Sequence, residues 1–252
     1  MSVRTAPTVR TAHKTARFFA PLAVALLAAC SSSTPSTASS TGGPQDPGVQ
    51  GNGDTSAAAA PDTSPDGVPY PTDNIGTGAR QGDRPGNKMV NYKFLAYPNG
   101  DVSKGLQPVS MASFFDPKGV KYKLIHIQAS GSWCVYCVEE TKVVAPMRQT
   151  LADRKVAWII SLAEGKTPGT PATTSDLDKW MAQYKAPYTH FLDPGNRNFG
   201  PFYDAAALPW NANINARTME ILESHVGATT TEAAILSEVD NWLGKIDSGQ
   251  IK

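Results

Sequence analysis

The chain has little of several features that identify common protein classes. Its 23 lysine and arginine residues nearly balance 22 aspartate and glutamate residues, so its net charge of +1 offers no basis for nucleic-acid binding. Three cysteines among 252 residues are too few for a disulfide-stapled scaffold. The longest apolar run, residues 18–29, has 12 residues, whereas a membrane-spanning helix needs about 20. A hydrophobic content of 40% excludes a fully disordered chain and leaves one or two globular domains.

The N-terminus has the pattern of an export signal. Residues 1–17 carry four basic and no acidic side chains, and the apolar run 18–29 has the length of a signal-peptide core. The run ends in Leu27-Ala28-Ala29-Cys30, which resembles the lipobox of bacterial lipoproteins. In that family the signal peptide is removed before the cysteine, which is then lipidated. The sequence therefore predicts a signal peptide at residues 1–29 and a lipidation site at Cys30, with ordinary signal cleavage as the alternative.

Residues 30–79 have the composition of a flexible tether. No lysine or arginine occurs between Cys30 and Arg80, and the first aromatic residue of the stretch is Tyr70. Such a segment buries too little apolar surface to offset the entropy of ordering, although residues 68–88 are expected to dock as an extended lead-in. We therefore expect a lipid-anchored protein in the bacterial cell envelope that faces the periplasm, with the choice of inner or outer membrane left open.

The folded domain is predicted at residues 80–252, where strand and helix patterns alternate. This order predicts an α/β domain with a central mixed sheet flanked by helices. The expected strands are 91–97, 122–129, 155–162 and 188–192, with a final hairpin of 210–215 and 220–226. The expected helical segments are a short turn at 110–115, a helix of about 16–18 residues after Cys134, and helices at 176–185 and 230–246.

Two cysteines form a Cys-x-x-Cys motif, Cys134 to Cys137, at the junction of a predicted strand and a predicted helix. The positive end of the helix dipole and unpaired backbone N–H groups stabilise a thiolate at Cys134. Cys137 lies one turn later, where it can attack a mixed disulfide formed at Cys134. Cys134 is thus the expected nucleophile and Cys137 the resolving thiol.

Residues 80–250 resemble the thioredoxin fold, in particular the exported TlpA/ResA-like thiol–disulfide oxidoreductases. The resemblance rests on Trp133 before the cysteine motif, Glu140 after it, and Leu208-Pro209 before the last hairpin. It implies reduction of disulfides in exported client proteins, including apocytochrome c, with electrons from a membrane thiol donor and no cofactor. It also implies that Trp133, Leu208 and a cis Pro209 contact the client.

Two departures from the thioredoxin pattern affect the predicted chemistry. Thioredoxins have a buried aspartate six residues before the first cysteine, and this chain has Gln128 there, which cannot act as a base. We therefore assign proton transfer to Glu140, with an exposed helix carboxylate beside Glu139 as the alternative. The dipeptide Val135-Tyr136 lacks the histidine found in strong oxidants.

Other functions remain open on the sequence. The pair could donate its disulfide as an oxidase, or the chain could be a non-catalytic lipoprotein that binds a partner or copper through the cysteines and His190 or His225. A single Cys-x-x-Cys supplies half of a zinc site, so no metal is predicted. Peroxiredoxins need a threonine three residues before the attacking cysteine, and Gly131 occupies that position.

Overall fold

Seven strands form one mixed sheet in the computed structural model, which describes residues 57–75, 86–202 and 207–251. The strands follow the order β2-β1-β5-β4-β3-β6-β7 across the sheet. Their bounds are β1 Lys93–Tyr97, β2 Gln107–Ser110, β3 Leu124–Gly131, β4 Val156–Glu164, β5 Thr189–Leu192, β6 Trp210–Asn215 and β7 Ile221–Val226. The helices are α1 Val135–Val144, α2 Arg148–Asp153, α3 Thr174–Tyr184 and α4 Glu232–Asp247, and a short 3-10 turn covers Met111–Phe114.

The three central strands are parallel and the outer strands are antiparallel. β4 pairs in parallel with β3 and with β5, whereas β6 runs antiparallel to β3 and β7 antiparallel to β6. Parallel neighbours are joined by helical crossovers, while β6 and β7 follow each other through a tight turn, as their spacing predicts. The expected central mixed sheet flanked by helices is confirmed.

The two faces of the sheet bury different sets of side chains. Because side chains alternate along a strand, Ile125, Ile127 and Ala129 of β3 belong to one apolar cluster. The second cluster packs on the other face of the sheet. It includes both cysteines together with core residues of α1, α3 and α4. His126 and Gln128 of β3 point to that same second side and are buried. This face therefore combines an apolar core with buried polar groups.

The helix after the cysteines is shorter than its pattern predicts. α1 ends at Val144, a 3-10 turn covers Ala145–Met147, and α2 begins at Arg148. Pro146 has no backbone N–H and its ring crowds the preceding turn, so it interrupts the regular helical hydrogen bonds. The single helix of 16–18 residues is therefore replaced by two consecutive helices.

The N-cap of α3 is Thr173, so the helix begins before the predicted range of 176–185. The side chain of Thr173 accepts a hydrogen bond from the backbone N–H of Asp176, and the Asp176 carboxylate accepts one from the Thr173 N–H at 2.9 Å. This reciprocal capping box satisfies two N–H groups that have no partner within the helix. The helix consequently starts at Thr174, two residues earlier than predicted.

Part of the predicted tether packs on the domain. Tyr70 is buried in the first apolar cluster, and its hydroxyl donates to the backbone oxygen of Met89 at 2.7 Å. Lys93 pairs with Asp62 at 3.0 Å, and the Ser110 hydroxyl donates to the Pro61 backbone oxygen at 2.5 Å. The docking expected for residues 68–88 is therefore seen around Tyr70, and it extends back to Asp62 and Pro61 in the stretch assigned to the flexible tether, because one aromatic anchor and a few polar contacts hold this stretch on the domain.

The signal peptide, Cys30 and the rest of the predicted tether lie outside the described residues. None of the helices in the described ranges has both the length and the apolar character needed to cross a bilayer.

Candidate active site

Cys134 and Cys137 form a disulfide at the N-terminus of α1. Cys134 is the N-cap residue, and its Sγ accepts a hydrogen bond from the backbone N–H of Cys137 at 3.1 Å. Such a contact, together with the helix dipole, favours negative charge on this sulfur. The two intervening residues, Val135 and Tyr136, are 65% and 64% exposed, whereas Cys134 itself is only 2% exposed.

The rim of the site is formed by Trp133 and Leu208, whose side chains fill the space that a side chain at position 131 would occupy. A Cβ placed on Gly131 would lie 2.9 Å from Nε1 of Trp133 and 3.2 Å from Cδ1 of Leu208. Only glycine permits this close approach. The Leu208–Pro209 peptide is cis, as predicted. The fold thus brings the three expected client-contacting residues to the same end of the sheet as the cysteines, and their contact with a client stays a prediction.

Glu164, which the sequence reasoning missed, holds the Trp133 side chain in place. Its Oε2 accepts hydrogen bonds from Nε1 of Trp133 at 2.6 Å and from the backbone N–H of Gly169 at 2.9 Å. Glu164 ends β4, and Gly169 belongs to the following loop. One carboxylate therefore ties the indole at the rim to the loop after β4. Only the parallel register of β3 and β4 places Glu164 opposite Gly131, so no local motif predicts it.

Glu140 is fully buried on α1, which excludes the alternative of an exposed helix carboxylate; its neighbour Glu139 is exposed. The backbone N–H of Thr229 donates to its Oε1 at 2.8 Å, and the amide of Asn211 donates to both carboxylate oxygens at 3.2 Å. Burial, with a smaller contribution from the charge of Glu238, raises the pKa of Glu140 to about 7 against the lowering effect of these hydrogen bonds. Glu140 can therefore exchange a proton near neutral pH.

Gln128 fills the space where thioredoxins have an aspartate. Its amide nitrogen donates to the backbone oxygen of Cys137 at 3.1 Å and to Oγ1 of Thr141 at 3.0 Å. Its side-chain oxygen accepts from Nε1 of Trp158 at 3.4 Å. Gln128 is thus a hydrogen-bonded strut between β3 and α1 rather than a proton acceptor. This arrangement leaves Glu140 as the buried ionisable group on the cysteine-bearing helix.

The two histidines considered as copper ligands lie on different strands. His190 lies on β5 and His225 on β7, which are separated by three strands in the sheet order. Within the described ranges, no three side chains of histidine, cysteine, aspartate or glutamate come together in a group that would hold a metal ion. The Nδ1 atom of His190 instead lies 2.9 Å from the backbone oxygen of Tyr188.

The sheet order, the disulfide at the N-terminus of α1 and the cis-proline next to it define a protein of thioredoxin-like fold. Solved structures support this class. AhpC from Enterococcus faecalis is similar, with a TM-score of 0.51 and 12% identity over 66% of this chain and 95% of that chain. A reduced 2-Cys peroxiredoxin from Plasmodium vivax has a TM-score of 0.51 and 14% identity over 65% of this chain and 84% of that chain.

A thiol:disulfide interchange protein of the thioredoxin family from Chlorobium tepidum TLS was also found, with a TM-score of 0.47 and 18% identity over 64% of this chain and 97% of that chain. At their identities the two structures with TM-scores of 0.51 show the fold alone, and the thioredoxin-like fold expected from the sequence is confirmed. Neither a protein-family model nor a curated protein sequence matches the chain.

Proposed function

We propose that this chain is a membrane-tethered, extracytoplasmic thiol–disulfide oxidoreductase that reduces disulfides in exported proteins. The observation that carries the proposal is the cysteine pair at the N-terminus of α1, with the buried carboxyl of Glu140 one helical turn beyond Cys137. Residues three apart on a helix share a face, so the acid and the resolving cysteine lie on the same buried side. Trp133, Leu208 and Pro209 would contact the client.

The proposed reaction proceeds by two exchanges of sulfur partners. The Cys134 thiolate attacks one sulfur of a client disulfide, the client bond breaks, and the released client thiolate takes up a proton. Cys137 then loses its proton to Glu140 and attacks the Cys134 sulfur, which releases the second client thiolate and forms the Cys134–Cys137 disulfide. Two electrons pass from the pair to the client, and a membrane thiol donor restores the dithiol.

Access to the nucleophile requires a movement at the rim. With 2% of its surface exposed, Cys134 cannot meet a protein disulfide while the neighbouring side chains keep their positions. Trp133 and Leu208 are the partly buried side chains of the rim that pack against the cluster containing both cysteines. Since Trp133 is held by Glu164, opening of the rim would break that hydrogen bond.

The direction of electron flow is tested by the reduction potential of the pair in the purified full-length protein. Thiol trapping in graded glutathione and dithiol buffers measures it. The absence of a histidine between the cysteines favours a reductant, so we expect a value of roughly −250 mV or lower. A value near about −120 mV would assign the chain as an oxidase that donates its disulfide. A pair that forms no disulfide at any poise would contradict the redox function and favour partner or copper binding.

The tether belongs to the same proposal and rests on the lipobox-like residues that end in Cys30. Lipidation of Cys30 with more than one acyl chain would anchor the protein stably in the envelope. We expect the Cys30→Ala variant, expressed in a bacterium, to move from the detergent-extracted membrane fraction to the soluble fraction. Retention of the variant in the membrane fraction would show that the anchor is not at Cys30.

A further inference from the structure

A chain of polar side chains leads away from Glu140 across the sheet. We define this relay as Glu140, Asn211, His126, Asn213 and Glu238. Its centre is the fully buried imidazole of His126, whose Nε2 lies 3.2 Å from Oδ1 of Asn211 and whose Nδ1 lies 3.0 Å from Oδ1 of Asn213. The relay therefore joins a carboxylate on α1 to one on α4 through two strands.

The orientation of each asparagine amide is fixed by its other partners. The amide nitrogen of Asn211 donates to both oxygens of Glu140 and to the backbone oxygen of Gly227 at 2.9 Å. The amide nitrogen of Asn213 donates to Oε1 of Glu238. Turning the Asn211 amide over would place its oxygen against a carboxylate and a carbonyl, which accept hydrogen bonds and donate none when Glu140 is ionised. Each asparagine thus presents its oxygen to the imidazole.

An asparagine oxygen faces each of the two ring nitrogens of His126. This arrangement determines which protonation state of the ring can form both hydrogen bonds. A neutral imidazole has one N–H donor and one acceptor nitrogen. In that form an acceptor nitrogen would lie 3.0 or 3.2 Å from an asparagine oxygen that is also an acceptor. Both contacts become hydrogen bonds only when both ring nitrogens carry a hydrogen.

The surroundings of His126 include several groups that act on its charge. The Trp158 ring on β4 stacks against the imidazole with centroids 3.8 Å apart, and a cation over an indole face is attracted by it. Burial is the largest influence and lowers the pKa of His126 from its ordinary value, and His225 on β7 acts in the same direction; Glu238 on α4 and the two asparagine hydrogen bonds oppose this effect. Burial thus disfavours the charged ring, whereas the geometry at both ring nitrogens requires it. Glu140 on α1 is the second carboxyl that reaches the ring, through Asn211.

We infer that His126 is held as an imidazolium between the two carboxyl groups and acts as a positioning residue for the proton on Glu140. The inference rests on the proposed function, because it concerns proton delivery to the same cysteine pair. While Glu140 is protonated, Glu238 balances the imidazolium. When Glu140 becomes a carboxylate, the imidazolium stabilises the new negative charge through the Asn211 amide.

This charge balance assists the step that resets the pair. A thiolate of the donor dithiol attacks the Cys134 sulfur, the Cys134–Cys137 bond breaks, and Cys137 leaves with the bonding electrons as a thiolate. Glu140 gives its proton to that thiolate and remains as a carboxylate beside the relay. The second donor thiol then displaces Cys134, so the donor is oxidised to a disulfide and the pair is reduced. In client reduction the proton moves from Cys137 to Glu140.

Nitrogen-15 NMR of the oxidised full-length protein, labelled at its histidines, tests the protonation state directly. At pH 7 we expect both ring nitrogens of His126 to show the chemical shifts of protonated nitrogens. His190 is an internal control, because burial lowers its pKa to about 4 and only its Nδ1 faces a backbone oxygen. It should give one protonated and one unprotonated nitrogen. An unprotonated nitrogen on His126 at pH 7 would overturn the inference, whether or not the protein reduces disulfides.

Two variants test the coupling within the relay. Glu238→Gln removes one balancing charge but leaves the ring in place, so His126 should lose its proton at a lower pH than in the native protein. Glu232→Gln, an exposed position on the same helix, should leave the His126 signal unchanged. An unchanged signal in Glu238→Gln would show that Glu238 does not balance the ring.

The coupling to Glu140 is tested by the pH profile of disulfide exchange. His126→Gln keeps hydrogen-bonding atoms at the position but removes the cation, so the midpoint assigned to Glu140 should move upward by about one pH unit. An unchanged midpoint in a folded variant would contradict the positioning role. Absence of exchange in the native protein would refute the proposed function instead, and the NMR result would still decide the state of His126.

Discussion

Replacement of Cys137 by serine is expected to trap the client on the enzyme, whereas replacement of Cys134 is expected to prevent the reaction altogether. Without Cys137 the mixed disulfide at Cys134 has no resolving thiol, so a covalent complex with a disulfide-containing protein accumulates. Without Cys134 no attacking thiolate faces the rim, and reduction of a protein disulfide such as that of insulin should fall to the uncatalysed rate. Non-reducing gels and a turbidity assay measure the two outcomes.

The exposed residues between the cysteines provide the matched control. Val135→Ala and Tyr136→Phe keep both thiols and should retain a rate within a fewfold of the native protein. If Cys134→Ser formed the covalent complex and Cys137→Ser did not, the assigned roles of the two cysteines would be reversed. If neither formed one, attack at a client disulfide would be refuted.

The second large effect is expected for Glu140→Gln, in both stability and rate. The pKa of Glu140 rises from an ordinary value of 4.5 to about 7 in the folded protein, so the native state binds its proton more tightly than the unfolded chain. That contribution to stability is complete below pH 4.5 and is lost as the pH rises through 7. Relative to Glu140→Gln, the native protein should therefore lose up to about 3 kcal/mol of unfolding free energy over this range.

Urea unfolding at pH 5 and pH 8.5 measures this difference. Asp193, whose pKa burial raises to about 6, titrates in both proteins and cancels in the comparison. Glu139→Gln is the control, because Glu139 is exposed on the same helix. A pH-independent difference between the native protein and Glu140→Gln would show that Glu140 does not titrate in this window.

The same substitution should slow disulfide exchange by about a hundredfold, which is the lower end of the usual contribution of a positioned acid or base. The loss should be largest in the step that involves Cys137, since the amide of glutamine can neither accept nor release its proton. Single-turnover kinetics separate this step from the initial attack by Cys134. An unchanged rate would remove Glu140 from the mechanism.

The cysteine pair and its place in the fold could be predicted from local pattern. A buried strand, the Cys-x-x-Cys spacing and the start of a helix lie next to each other in the chain, so their relative geometry follows from short-range rules. The cis Leu208–Pro209 peptide followed from the resemblance to thioredoxins, whereas the order of the strands in the sheet was seen only in the structure. The helix break at Pro146 and the capping box at Thr173 are also local features, but the apolar periodicity after Cys134 and the predicted helix start at residue 176 did not show them.

Composition alone does not show how far the docked lead-in extends, because average polarity does not register a few well-placed contacts. Tyr70 buries its ring against Phe115 with centroids 5.8 Å apart and donates its hydroxyl to a backbone oxygen. Those contacts involve residues up to 45 positions away in the chain. A window that counts only nearby residues cannot find them.

The relay likewise combines a pattern that the sequence shows with contacts that only the tertiary structure shows. The alternation of asparagine in Trp210–Asn215 is visible in the sequence and indicates one polar face of a strand. That this face is buried, and that Asn211 and Asn213 meet His126, depends on the antiparallel register of β6 against β3. The sequence alone was enough to identify a thiol pair and its helix, because both are defined by neighbours in the chain. Only the tertiary structure decided which polar groups surround that pair, because burial and cross-strand register arise from contacts between distant segments.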